Sequence, residues 1–158
     1  MAGIYSRLEN DTMAGTVEQN LKFFSPLQAT PQDKQLVKQL GKKPVFNLGI
    51  SDRPDTQDRG SSDEDNVSWL SPYGRFNIAC LSKEGVAGHH RDYAAQMKLP
   101  FAHRATLKAA QVLAGSALDL YTDPQLLLKA KREFKKRTRG FKYDPLVPKR
   151  QKPPSVNP

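Results

Sequence analysis

The sequence predicts an α/β fold in which four helices pack on two or three short strands. Apolar residues recur at helical spacing in two stretches near the N-terminus and in two more in the C-terminal half. Between them lie "NVSWL" and "RFNIACLS", short apolar runs separated by a Ser-Pro-Tyr-Gly turn, as buried strands are. So few strands make no self-sufficient sheet beneath four helices, which points to part of a larger α/β domain.

Met13, Val17, Leu21 and Phe24 share one helical face and predict a helix over 12–24. In "SPLQATPQDKQLVKQLG", Thr30 suits the N-cap, Pro31 the first helical position and Asp33 the third, where a carboxylate meets exposed amides. Gly41 is a natural stop. Val45 to Ile50 can form one short strand. The Asp, Arg, Gly, Pro and Ser that follow show no periodicity and predict a mobile loop. The strongest helix is expected over 101–121, opened by Pro100. Phe101, Ala105, Ala109, Val112, Leu113, Ala117 and Leu120 line one side, and its many small residues let another backbone approach closely. "TDPQLLLKAKREFKKRTRG" repeats the start signals, with Asp123 as cap, Pro124 at the first position and Gly140 past the end. The closing "DPLVPKRQKPPSVNP" is proline-rich and basic, predicting disorder or an extended strap. The expected organisation is a helical segment over 1–44, a mobile loop over 45–65, an α/β part over 66–140 and a basic tail over 141–158.

Composition narrows the function classes. At 37% hydrophobic and 26% charged, 158 residues support one modest core. Lys, Ser or Gln interrupts every apolar run, so no membrane span is expected, and "MAGIYSRLENDT" lacks the apolar region of a secretory signal. One cysteine, Cys80, excludes an internal disulfide and a cysteine-based zinc knuckle and favours a reducing, cytoplasmic setting. The net charge of +9 is local: residues 129–158 hold eleven Lys or Arg and two acids, and the rest of the chain balances to zero. Cations near a helix C-terminus suit the dipole, so a solvated face accounts for this run better than a nucleic-acid footprint; a basic binding module remains the alternative.

"GVAGHHRDYAAQ" places His89 beside His90, and His103 follows in "FAHRATLKAA". Adjacent histidines point apart in a strand and about 100° apart on a helix, so they do not readily share one metal. No HxxxH, HExxH or CxxC spacing is present. The co-ligands on offer are His103 and carboxylates such as Asp63, Glu64, Asp65 and Asp92, short of a complete zinc set. His103, two residues into the long helix, fits a capping or packing role. "SSDEDNVSWL" gathers three acids that suit either acid–base work or a solvated loop. Trp69 fits a core role, and Cys80 in an apolar stretch reads as a small buried hydrophobe. No GxSxG elbow supports a Ser68–His89–Asp65 triad, and no glycine-rich phosphate loop is present.

"DNVSWLSPY", "GVAGHHRDY", "FAHRATLKAAQVLAGSALDL" and "RTRGFKYDPLVP" together resemble the C-terminal part of the aminobenzoyl-glutamate utilisation proteins, the p-aminobenzoyl-glutamate hydrolase group. That group belongs to the co-catalytic zinc amidohydrolases and metallopeptidases of the aminoacylase and glutamate-carboxypeptidase type. The matching residues are Asn66-Val67-Ser68-Trp69, Cys80, Gly85 to His89, Ala102-His103, Asp119-Leu120 and Arg137 to Gly140 before Tyr143. The similarity covers residues 60–148 and, faintly, 10–45. The resemblance implies the C-terminal piece of a zinc-peptidase-like α/β catalytic domain, preceded by the helical end of a lid or dimerisation domain. It implies hydrolysis of the amide bond of an N-acyl amino acid such as p-aminobenzoyl-glutamate, with two zinc ions per complete site and a homodimeric assembly. It places a zinc ligand on His89 and sets His90, Asp65, Asn66, Trp69 and His103 around the site. The N-terminal half that carries the group's His-x-Asp and Glu-Glu motifs has no counterpart here, the His90-Arg91-Asp92 run falling within the C-terminal motifs, and Asn66 stands where the pattern has Asp. The chain is therefore expected to be a fragment, inactive alone, that relies on an N-terminal half or paralogous subunit. A regulatory or vestigial fragment is a further reading.

Overall fold

Local capping chemistry sets most helix ends. The structure is a computed structural model that describes residues 4–24, 27–46, 48–50, 62–82, 89–147, 150 and 152. These residues form six helices: α1 (Asp11–Phe24), α2 (Pro31–Gln39), α3 (Glu64–Val67), α4 (Arg91–Met97), α5 (Pro100–Thr122) and α6 (Pro124–Thr138). At α2 the Asp33 amide donates to Thr30 Oγ1 at 3.2 Å, while the Thr30 amide donates to Asp33 Oδ2 at 2.7 Å, a reciprocal capping box. Gly41 follows at φ 71°, a left-handed conformation that costs glycine little. At α6, Asp123 Oδ1 accepts from the Gln125 and Leu126 amides at 2.9 and 3.1 Å, behind Pro124 at the first position. At the end of α6, Arg139 takes the left-handed cap at φ 48°, and Gly140 follows past the end, as expected, at φ 78°.

The 23-residue α5 is the axis of the molecule. Helices α1, α4 and α6 pack against it, and α1 also meets α6. Phe101, Ala102, Ala105 and Val112 of α5 are buried with Val17 of α1, Val37 of α2 and Ala130 of α6. Phe46 joins them, its ring 4.5 Å from that of Phe101. The α1–α5 crossing is close at Gly115, where a Cβ would overlap Asn20 Oδ1 and stand 2.7 Å from Phe24 Cε2.

The buried stripe of α1 is largely polar. Thr12, Thr16 and Asn20, spaced by four residues, turn inward beside Val17. Glu133 of α6 receives the Asp11 amide at 2.6 Å and the Thr12 amide and hydroxyl at 2.9 and 2.7 Å. Asn10 Nδ2 donates to the Ala130 carbonyl at 3.0 Å, and Asn20 Nδ2 to Asp119 Oδ2 at 2.6 Å. Each of these polar groups of the α1 stripe thus meets a partner, which offsets the desolvation cost it would otherwise carry.

The α/β expectation is overturned: among the described residues there is no strand and no sheet. "NVSWL" is not a strand, because Asn66 and Val67 end α3 and Ser68 to Leu70 continue as turn. Residues 75–82 of "RFNIACLS" form no ladder among the described residues, and Ser82 meets the Val45 amide only through its hydroxyl, at 3.0 Å. Val45, Phe46 and 48–50 are likewise irregular, and Asn47 lies outside the described residues. A strand exists only by hydrogen bonding to another strand, and these three segments do not meet as a ladder. The stretch after the histidine pair, where the sequence predicts no helix, forms α4. Most of the expected mobile loop (51–61), the Gly85 to Gly88 turn and the end of the basic tail lie outside the described residues.

Candidate functional site

The histidine pair sits where the chain enters α4. His90 is the N-cap, in extended conformation, and its Nδ1 accepts from the Asp92 amide at 3.2 Å. That bond uses the Nδ1 lone pair, so His90 is tied to the helix start. Asp92 lies in the first turn, where the dipole favours an anion, and Lys42 Nζ reaches its Oδ2 at 2.7 Å. The Lys42 hydrogen bond, aided by the charges of Lys42 and Arg91, holds the Asp92 carboxyl below its ordinary range. His89 adopts φ 65° and is exposed. The left-handed region is uncommon for a residue with a Cβ, although histidine visits it more than most. Among the described residues, no group hydrogen-bonds the His89 imidazole.

His89, His90, Arg91, Tyr93 and Ala94 line a shallow, open concavity of about 530 Å³. The Tyr93 hydroxyl also reaches Cys80, bringing residues 75–82 up to this helix. Burial pushes the Cys80 thiol above its ordinary value despite hydrogen bonds to backbone and to Tyr93, so at neutral pH it is a thiol and a poor nucleophile. Arg91 and Tyr93 are the lining residues that the sequence reading passed over. Their signal lay in "HHRDY": a capping histidine followed by an acid in a first turn.

The other candidates stand elsewhere, and Asp65, Asn66 and Trp69 are already engaged. Asp65 accepts from Arg7 Nε at 2.8 Å. Asn66 Oδ1 accepts from the Tyr5 amide at 2.9 Å, and Ser68 Oγ from the Leu8 amide at 2.9 Å. Trp69 Nε1 donates to the Ser6 carbonyl at 2.7 Å. The Trp69 ring lies 4.8 Å from Phe141 and 5.9 Å from Tyr5, and Tyr5 lies 5.4 Å from Tyr143. Asp65, Asn66 and Trp69 therefore form a clamp that holds Tyr5 to Leu8 against residues 141–143. Beside it, burial and then the hydrogen bond and charge of Glu64 push the Tyr73 phenol up to about 12. His103 is exposed on the first turn of α5. Asp65, Asn66, Trp69 and His103 all stand outside the lining of the His89 concavity.

The fit to zinc follows from these positions. Among the described residues, no three His, Cys, Asp or Glu side chains come together as a metal-binding group. A structural zinc takes four protein ligands and a catalytic one three, so the described residues by themselves do not form a zinc site. Among the described residues, no helix is long and apolar enough to cross a membrane. No family model, no curated protein and no solved structure matches this chain.

Proposed function

We propose that this chain supplies one zinc-ligating histidine, His89, to an amidohydrolase whose remaining metal ligands and catalytic glutamate come from another polypeptide. The observation that carries the proposal is His89 itself. It is an exposed imidazole on a left-handed backbone, opening into a concavity, with no hydrogen-bond partner among the described residues. A strained backbone at an exposed ligand-type side chain is the kind of outlier that marks a binding position. His90, whose Nδ1 caps α4, is the supporting neighbour. The ordered motifs from Asn66 to Tyr143 supply the chemical class: an N-acyl amino acid of the p-aminobenzoyl-glutamate type as substrate and a cytoplasmic, zinc-loaded assembly. The concavity provides one ligand and two flanking groups, Arg91 and Tyr93, so hydrolysis is assigned to the assembly and not to this chain alone.

Reconstitution tests the proposal. The chain alone, supplied with zinc, should not turn over p-aminobenzoyl-glutamate. Co-expression with a polypeptide carrying His-x-Asp and Glu-Glu motifs should give zinc-dependent cleavage. His89→Ala should abolish that cleavage, whereas His90→Ala should leave it within about ten-fold. Cleavage that is indifferent to His89→Ala, or robust turnover by the isolated chain, would refute the assignment.

A second reading draws on α6. Lys129, Arg132, Lys135 and Lys136 are exposed, while Glu133 turns away from them to Thr12 and Arg137. A polyanion bound there would dissociate steeply with added salt, by counterion release. Binding to duplex DNA that is undetectable near physiological ionic strength would remove this reading.

A further inference from the structure

We infer that the α3 turn and residues 141–144 form a peptide-binding cradle, which the chain's own Tyr5–Leu8 fills and which takes a partner peptide carrying an aromatic residue two positions before an arginine. Residues 5–8 have no helix or strand of their own. They are held as a bound peptide is held. Side chains of the cradle read three of their main-chain groups. The Tyr5 amide donates to Asn66 Oδ1 at 2.9 Å, Trp69 Nε1 donates to the Ser6 carbonyl at 2.7 Å, and the Leu8 amide donates to Ser68 Oγ at 2.9 Å. Main-chain contacts give affinity whatever side chains stand at 6 and 8, and pockets for alternate residues give specificity. The Tyr5 ring lies 5.9, 5.7 and 5.4 Å from those of Trp69, Phe141 and Tyr143, and its hydroxyl donates to the Asp144 carbonyl at 3.0 Å. Two residues on, Arg7 Nε donates to Asp65 Oδ1 at 2.8 Å. Asp65 is only 6% exposed, and a buried carboxylate stripped of its cation is costly, so the cradle selects an arginine at this place.

The walls of the cradle are held without their occupant. Ser68 Oγ donates to the Asp65 carbonyl at 2.5 Å, and the Ser68 amide to the Glu64 carbonyl at 3.3 Å. The Phe141 amide donates to the Thr138 carbonyl at 2.8 Å, and the Trp69 and Phe141 rings meet at 4.8 Å. None of these contacts involves residues 5–8. Beyond Leu8 the chain is fixed separately. Asn10 Nδ2 donates to the Ala130 carbonyl and Asn10 Oδ1 accepts from the Met13 amide, both at 3.0 Å. Residues 5–8 are thus a ligand on a preformed site, tethered through Glu9 and Asn10. The same segment of a second copy gains no contact over the resident one and lacks the tether, so exchange favours a different protein whose sequence keeps the aromatic–x–arginine pattern.

None of these residues lines the His89 concavity, so the test is independent of the zinc reading. The full chain carrying Tyr5→Ala and Arg7→Ala vacates the cradle. Its Trp69, the sole tryptophan, then reports on an added end-capped peptide with the sequence of residues 4–10, which contains no tryptophan. Trp69 emission should change saturably, with half-saturation at about 0.1–1 mM. Placing Tyr5→Ala or Arg7→Ala in the peptide instead should weaken binding at least ~10-fold. In the wild-type chain the tethered segment competes at an effective concentration of about millimolar or above, so half-saturation should rise at least ~3-fold. Should the double variant not fold, amide exchange of the wild-type chain decides. The Tyr5 and Leu8 amides should exchange by local opening, at least ~100-fold faster than those of Ala105 and Val112 in the core of α5. Exchange at the α5 rate would make residues 5–8 integral to the fold and overturn the inference. So would an unsaturable response, equal binding of the altered peptides, or equal responses of the wild-type and vacated chains. A wild-type dimer that exchanges residues 5–8 would put a second copy's segment in the cradle and overturn the choice of partner.

Discussion

Gly115→Ala opposes two effects that the structure allows to be weighed. Within a helix, alanine is favoured over glycine by about 1 kcal/mol, so on propensity alone the variant gains stability. Gly115, however, lies at the α1–α5 crossing. The new Cβ would overlap Asn20 Oδ1 and meet Phe24 Cε2 at 2.7 Å, both closer than a methyl group tolerates. Overpacking of this kind costs about 1–3 kcal/mol. Asn20 has little freedom to yield, because its Nδ2 donates to the Thr16 carbonyl at 3.1 Å and to Asp119 at 2.6 Å. Breaking the bond to the Asp119 carboxylate costs about 1.5–3 kcal/mol more. The balance is a loss of about 3 kcal/mol, within about 1.5–5. Gly15→Ala in α1 is the internal control, since nothing stands within 4 Å of its added Cβ. It should gain about 0.5–1 kcal/mol from propensity alone. Urea denaturation at one fixed protein concentration, followed by far-ultraviolet circular dichroism, measures both. Asn20→Ala should remove most of the Gly115→Ala penalty, giving a coupling of at least about 1 kcal/mol. If Gly115→Ala is as stabilising as Gly15→Ala, the close α1–α5 approach is wrong.

Three further outcomes follow from named contacts. Glu133 lies where burial would raise its pKa, but hydrogen bonds from the Thr12 hydroxyl and the Thr12 and Asp11 amides, with the charge of Arg137, outweigh burial and hold the carboxyl below its ordinary value. A depressed folded pKa contributes stability that is full above the unfolded value of about 4.3 and is lost as pH falls through the folded value. The urea midpoint should therefore drop on acidification below about pH 4.5, and Glu133→Gln should lower it at neutral pH while flattening that acid limb. Asp123→Ala removes the two capping bonds of α6 and should cost about 1 kcal/mol, read in the same denaturation assay. Arg139→Gly replaces a left-handed Cβ-bearing residue at the α6 C-cap and should raise stability by about 0.5–1 kcal/mol; a loss would place the helix end elsewhere.

Helix ends were legible because capping is local. Thr30-Pro31-Asp33, Asp123-Pro124, Pro100 and Gly41 each act within one turn of the chain, and each stands at the end it predicts. The face of α1 was not. Met13, Val17, Leu21 and Phe24 predict an apolar inner stripe, yet of these only Val17 is buried, and Thr12, Thr16 and Asn20 take the inner positions. Their partners, Glu133 and Asp119, lie about a hundred residues further along, beyond the reach of any periodicity rule.

The α/β expectation failed for the same reason in stronger form. A helix closes its hydrogen bonds within itself, whereas a strand is defined by a neighbour that its own residues do not specify. Asp65, Asn66 and Trp69 looked like site residues in a motif, but the fold gives them to Tyr5, Ser6 and Arg7, some sixty positions away. By itself the sequence determined where four of the helices begin, where α2 stops and where the charge lies, because each depends on neighbours along the chain. Only the tertiary structure decided that no sheet forms among the described residues, that α1 turns a polar stripe inward, and that His89 faces solvent with no His, Cys, Asp or Glu cluster around it among the described residues, because each depends on which distant groups come to rest beside it.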